Sequence, residues 1–218
     1  MKRVILFAGH YGSGKTNIAV NFALQLRADG KEVIIADLDI VNPYFRTKDS
    51  AKELSAAGVE LISPAFANSN VDLPSLPQET YRIVQDRTKC AVLDIGGDDR
   101  GAYALGRYAP SILAENDYEM IFVANFYRPL TSTALEALEV MREIELAGGI
   151  KFTAIVNNSN IGADTTAESV LETVPLAEEL SKISGLPVIF TTAERTVAKE
   201  LQTTLGNVFS LDLQKKLF

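Results

Sequence analysis

A single cysteine, Cys90, stands in a chain of 218 residues, so neither an intrachain disulfide nor a zinc centre built on cysteines can form within one molecule. No run of lysines and arginines occurs, and the net charge is −7. Non-specific nucleic-acid binding needs clustered cations to displace counterions, so that class of activity is disfavoured. Nowhere does an apolar stretch approach the roughly 20 residues that span a bilayer. The first such stretch, Val4–Ala8, is too short for a secretory leader and has no cleavage site after it. Aromatic residues are only 8% of the chain, against 47% hydrophobic and 22% charged, which is the balance of an ordinary folded domain. Linkers rich in Gly, Pro or Ser are missing, as are internal repeats. These absences leave a soluble, cytoplasmic protein of one domain over residues 1–218 as the expectation.

Short apolar runs alternate with longer helical patterns along the whole length. Strands are expected at Val4–Ala8, Val33–Asp37, Val59–Ile62, Cys90–Ile95, Met120–Asn125, Phe152–Asn157 and Val188–Thr191. Several are unbroken Val/Ile/Leu/Phe runs, as strands buried on both faces of a parallel sheet require. Helices are expected after Thr16, where Ile18, Phe22 and Leu26 recur at i, i+4 and i+8, and at Thr47–Ala57, Gln78–Arg87, Thr131–Ala147, Thr166–Ser184 and Ala193–Leu205. Such alternation predicts an α/β fold, a doubly wound, mostly parallel sheet flanked by helices in three layers. The segment Ser63–Pro77 is the longest irregular piece, and the tail Ser210–Phe218 is expected to pack on the body.

The residues Gly9-His10-Tyr11-Gly12-Ser13-Gly14-Lys15-Thr16 fit G-x-x-x-x-G-K-[ST] without a gap, between a strand pattern and a helix pattern. Glycines let successive main-chain N–H groups turn inward around an anion, and the helix N-terminus adds partial positive charge. Lys15 would then reach the β- and γ-phosphates, and the Thr16 hydroxyl would ligate Mg²⁺; Asn17 follows at the same helix start. A glycine-rich turn that binds nothing is the competing reading, and the full motif in its strand–helix setting outweighs it.

Two strand ends carry carboxylates. Asp37 and Asp39 close one, two residues apart, and Asp94-Ile95-Gly96-Gly97 closes another. Ligands of open α/β sheets gather at the carboxyl ends of strands, so both ends should converge on the loop. Asp94 is the candidate Mg²⁺ carboxylate, Gly97 an amide near the γ-phosphate, and Asp39 the residue that orients an attacking water or substrate, with a share in the metal site. Capped turns would also use Asp and Gly at such ends.

Together these motifs resemble the MinD/ParA class of P-loop ATPases, in the group that also holds the nitrogenase iron protein and dethiobiotin synthetase. The resemblance runs from Val4 to about Thr191. It implies ATP and Mg²⁺ as ligands, and an asparagine against the adenine ring at the Asn157-Asn158 strand end. Guanine-specific relatives carry Asn-Lys-x-Asp there, whereas this chain has Asn157-Asn158-Ser159-Asn160 with no carboxylate. The run Val123–Leu135 looks like the class's passage from strand to helix. One departure concerns His10, which stands where the dimerising members carry a second lysine. A mostly neutral imidazole cannot supply the same permanent charge, although a nearby triphosphate would raise its pKa. The class also implies a nucleotide-dependent homodimer. With Cys90 alone, at the start of an apolar strand, a bridging iron–sulfur cluster is not expected, nor is membrane attachment.

Three functions emerge as expectations. A slow ATPase acting as a switch read by a protein partner comes first. An ATP-dependent enzyme acting on a small molecule, like dethiobiotin synthetase, is the alternative, and a DNA-positioning ATPase is disfavoured by the acidic balance. Arg46, Arg100 and the pair Tyr44-Phe45 are further candidates for phosphate or partner contact, with surface ion pairing or core packing as the alternatives.

Overall fold

The structure, a computed structural model, describes residues 1–39, 47–63, 78–97 and 99–214. Tyr44, Phe45, Arg46, the segment 64–77, the side chain of Arg100 and residues 215–218 lie outside the described residues, and so do the expectations that fall on them.

Among the described residues, eight strands form one sheet with every pairing parallel: β1 (Val4–Ala8), β2 (Val33–Asp37), β3 (Glu60–Ile62), β4 (Cys90–Asp94), β5 (Tyr118–Ala124), β6 (Ala154–Asn157), β7 (Val188–Glu194) and β8 (Val208–Leu211). Their order across the sheet is β3-β2-β4-β1-β5-β6-β7-β8. The described helices are α1 (Lys15–Ala28), α2 (Ala51–Ala57), α3 (Arg82–Gln85), α4 (Asp99–Gly106), α5 (Ala109–Glu115), α6 (Ala134–Gly148), α7 (Ala167–Glu172), α8 (Val174–Ser184) and α9 (Arg195–Leu201). The doubly wound three-layer fold expected from the alternation is the fold observed.

Burial on both faces explains the unbroken apolar strands. Val4, Leu6 and Ala8 join one core with α4, α5, α6 and α8, while Ile5 and Phe7 join another beneath α1 and α2. With strand side chains alternating in direction, each run must be apolar throughout. α6 starts on a reciprocal cap: Thr133 Oγ1 accepts from Glu136 N, and Glu136 returns a carboxylate to Thr133 N. Its buried Ala134, Ala137, Met141 and Ile144 form one stripe.

The structure differs from the sequence expectation in several element ends, in the helices expected over 47–57 and 78–87, which each begin as a 3-10 turn, and in the following elements. The helix expected over 166–184 is two, because Pro175 has no N–H to continue the ladder and the chain restarts after Thr173. Two short helices, α4 and α5, occupy 99–115 where none was expected. An eighth strand, β8, extends the sheet and runs into the first two residues of the stretch read as tail.

β1 sits at the middle of the sheet, between β4 and β5, where the winding changes direction. The crevice above the carboxyl ends of these strands is where such sheets take ligands.

Candidate nucleotide-binding site

The loop 9–14 turns from β1 into α1 at this crevice. Gly14 caps α1 with φ 89°, a left-handed value that disfavours side chains, and a Cβ there would lie 2.2 Å from Asn158 Nδ2. Ser13 N donates to His10 O at 3.1 Å, closing the loop on itself. Lys15 begins the helix with its side chain folded back into the loop, only 6% exposed, donating from Nζ to His10 O at 3.2 Å. The Ser13 hydroxyl is buried without a hydrogen-bond partner among the described residues.

Strand register brings the acids to the same place. Asp37 and Asp94 are direct neighbours across the β2–β4 pairing, and Asp94 stands beside Phe7 of β1. Asp37 Oδ1 accepts from Asp39 N at 3.1 Å, which turns Asp39 toward the cleft, where it lines the wall. Asp94 is fully buried. Its Oδ2 accepts from Thr47 Oγ1 at 2.9 Å, and its Oδ1 has no partner among the described residues. Burial, then the adjacent Asp37 carboxylate, push the Asp94 pKa up to about 7, against the opposing effects of Lys15 and the Thr16 and Thr47 hydroxyls.

Gly97 shows why the turn after β4 carries glycine. A Cβ there would lie 2.7 Å from Tyr11 N and 2.8 Å from Lys15 Nζ. The turn therefore lies directly against the loop 9–14.

The cleft, about 690 Å³, is lined by Tyr11, Gly12, Gly14, Lys15, Thr16, Asn17 and Asp39. Asn158, Asn160, Gly162, Thr192, Glu194, Leu211 and Leu213 line it too. A triphosphate with its nucleoside has room there. Among the described residues no group of three or more His, Cys, Asp or Glu side chains is arranged to hold a metal. The oxygens fit for Mg²⁺ are those of Thr16 and Asp94, with the unpartnered Asp94 Oδ1 as the observation that favours them; hard cations of this size take most of their remaining ligands from phosphate and water.

Three expected contacts take a different form. His10 lies outside the cleft lining; burial, then Lys15, hold its pKa below the ordinary value despite Glu143. Asn157 is fully buried and also outside the lining. Its Nδ2 donates to Thr173 Oγ1 at 3.0 Å, and its Oδ1 accepts from the Ser159 amide and hydroxyl, so it braces the start of α8. Asn158 does reach the cleft, but its Nδ2 donates to Ser13 O at 2.6 Å and its Oδ1 accepts from Thr192 Oγ1. It ties the phosphate loop to β7. Asn158→Ala is therefore expected to cost about 2 kcal/mol in denaturant unfolding, for two buried bonds lost, and to weaken nucleotide binding by loosening the loop.

Sequence reasoning missed Arg128. It follows β5, donates from Nε to Gly12 O at 3.1 Å, lines the cleft, and pairs with no carboxylate among the described residues. Its position depends on the turn after β5, held by Asn125 and Thr131 and by Leu130 at φ 66°, which no local pattern announces. Asn160 is the other omission: it occupies the fourth position of the strand-end run, on the cleft wall, with Nδ2 donating to Asn158 O at 2.8 Å.

No protein-family model matches the sequence, and no curated protein is similar to it. Solved structures share the fold. The cell-division protein FtsY of Thermotoga maritima superposes with a TM-score of 0.65 at 16% identity, over 88% of this chain and 62% of its own. The signal recognition particle receptor FtsY of Elizabethkingia anophelis, in complex with GDP, gives 0.55 at 15% identity, over 93% and 59%. The signal recognition particle 54 kDa protein of Aeropyrum pernix, also with GDP, gives 0.54 at 16% identity, over 87% and 41%. This chain spans less than two thirds of each. At that identity the likeness shows the fold alone, a parallel sheet between two layers of helices.

Proposed function

We propose that this chain binds a magnesium nucleoside triphosphate, with ATP preferred, and hydrolyses it slowly as a switch for a protein partner, in the manner of the MinD/ParA class. The observation that carries the reading is the joint burial of Lys15 and Asp94 at the phosphate loop, beside the unpartnered Ser13 Oγ and Asp94 Oδ1. Burying an ammonium and a carboxyl group among unmatched polar atoms is costly in itself. A polyphosphate and a divalent ion offset that cost.

Main-chain amides of residues 9–14 and the start of α1 hold the phosphates, and Lys15 neutralises them from below. Thr16 and Asp94 would hold Mg²⁺, which supplies charge neutralisation on the phosphate oxygens when bound. Asp39 accepts the hydrogen bond of an attacking water and orients it. Arg128 supplies, from the turn after β5, a positive charge that His10 does not.

The preference for ATP rests on Asn160. A carboxylate at that position would accept from the paired N–H groups of guanine, and an amide offers one donor and one acceptor instead. Two structures of the same fold are complexes with GDP, so GTP is the second reading. Support for a protein partner comes from Tyr11, Tyr127 and Leu130, exposed around the turn and loop that flank the phosphates. The Asp94–Thr47 bond also links the metal end to the chain that follows Asp39. A nucleotide-dependent homodimer remains part of this reading.

Purified protein with Mg²⁺ is expected to bind ATP more tightly than GTP by calorimetry and to hydrolyse it slowly, with DNA giving no stimulation. Acceleration by a protein recovered on the ATP-analogue form supports the switch. Turnover that appears only with an added metabolite supports the small-molecule enzyme instead. Failure of both triphosphates to associate at millimolar concentration overturns the proposal.

A further inference from the structure

The last described residues close one side of the cleft. β8 pairs with β7 at the sheet edge, and residues 212–214 then cross the first turns of α1. Asn17 and Asn21, one helical turn apart, meet this segment. Asn21 Oδ1 accepts from Asp212 N at 2.8 Å, Asn21 Nδ2 donates to Asp212 O at 3.0 Å, and Asn17 Oδ1 accepts from Gln214 N at 3.3 Å. Two side-chain amides thus take the place of a neighbouring strand. Arg195, at the start of α9, pairs with both Asp212 oxygens, and Gln214 Nε2 donates to Ser50 Oγ at 2.8 Å. The strap is fixed at both ends and along its backbone.

Alternate residues of an extended segment share a side, and here Leu211 and Leu213 both line the cleft. Leu211 is buried, but Leu213 is 54% exposed. Many hydrogen bonds thus hold a leucine side chain open beside the cleft. These two are the leucines of the cleft lining, beside Ala193 and Glu194, and an apolar wall suits the base of a bound nucleotide rather than its phosphates.

The geometry points to the strap Leu211–Gln214 as the apolar wall against which the nucleobase packs. This rests on the nucleotide-binding function proposed above and adds the element that grips the base. The contact is with the flat face of the ring, so it serves adenine and guanine alike, and the edge is left to Asn160. Asn21 is a positioning residue that acts through the strap. Asn17, expected at the nucleotide from its place after the phosphate loop, shares that task from the cleft side.

The test is calorimetric titration of magnesium ATP, magnesium GTP and inorganic tripolyphosphate into the wild type, Leu213→Ala and Asn21→Ala. Leu213→Ala is expected to weaken both nucleotides about tenfold and to leave tripolyphosphate within about twofold, because only the base loses apolar contact. Asn21→Ala should show the same selectivity with a smaller loss. Leu213 is exposed, so its unfolding midpoint should not move. Unchanged nucleotide affinity in Leu213→Ala, or an equal loss for nucleotides and tripolyphosphate, overturns the inference. A wild type that binds none of the three instead sinks the phosphate-loop reading, and the base wall with it.

Discussion

Lys15→Ala is expected to reduce triphosphate hydrolysis, measured as kcat/KM, by roughly 100- to 1,000-fold. The ammonium is almost fully buried, so water screens its interaction with phosphate weakly. It donates to His10 O, a carbonyl that also accepts from Ser13 N. The loop therefore keeps its closing bond in the variant, and unfolding free energy should change by only about 1 kcal/mol. Calorimetry and a phosphate-release assay on the same preparation separate the two quantities. Unchanged affinity and rate in a folded variant would remove Lys15 from the site. A compensating role for Arg128 would show as residual binding lost in the double variant.

Asp94→Asn should produce opposite changes in stability and function. The folded-state pKa of about 7 lies above the ordinary 3.8. Below the ordinary value, folded and unfolded chains both carry the proton, and the stabilising contribution is present in full. As pH rises from there, the unfolded chain ionises first while the folded chain holds its proton, so stability falls until pH passes about 7. At pH 8 the wild type without ligand carries a buried carboxylate beside Asp37, and Asp94→Asn removes it. The variant should melt several degrees higher by calorimetry at that pH. Binding runs the other way, because a cation needs the ionised form. Wild-type affinity for magnesium nucleotide should be about tenfold weaker at pH 6 than at pH 8, and the variant should bind weakly with little dependence on pH. A wild-type affinity flat across that range would place the cation elsewhere.

Much of the fold was legible. β1 and β2 fall on the expected residues, since a continuous apolar run ended by glycine or aspartate permits little else. α4 escaped notice because Gly101 lies in its first turn, where glycine is a poor helix former. The reason is packing: a Cβ on Gly101 would lie 2.3 Å from Gly96 Cα. β8 is only four residues long at a sheet edge, with one buried side chain, too little for a periodic signal.

The sequence alone determined the glycine-rich loop, the strands that end at Asp37 and Asp94, and the layered fold around them. Each depends on local chemistry: glycines where amides must converge, an apolar run where both faces are covered, a carboxylate where a strand ends. Tertiary structure decided what those groups meet. It turned Asn157 into a brace for α8 and Asn158 into a tie between loop and sheet, brought Arg128 over Gly12, and laid Leu213 beside the cleft. Those roles join residues far apart along the chain (Asn158 and Ser13 are separated by 145 positions), and only the closing of the sheet sets such distances.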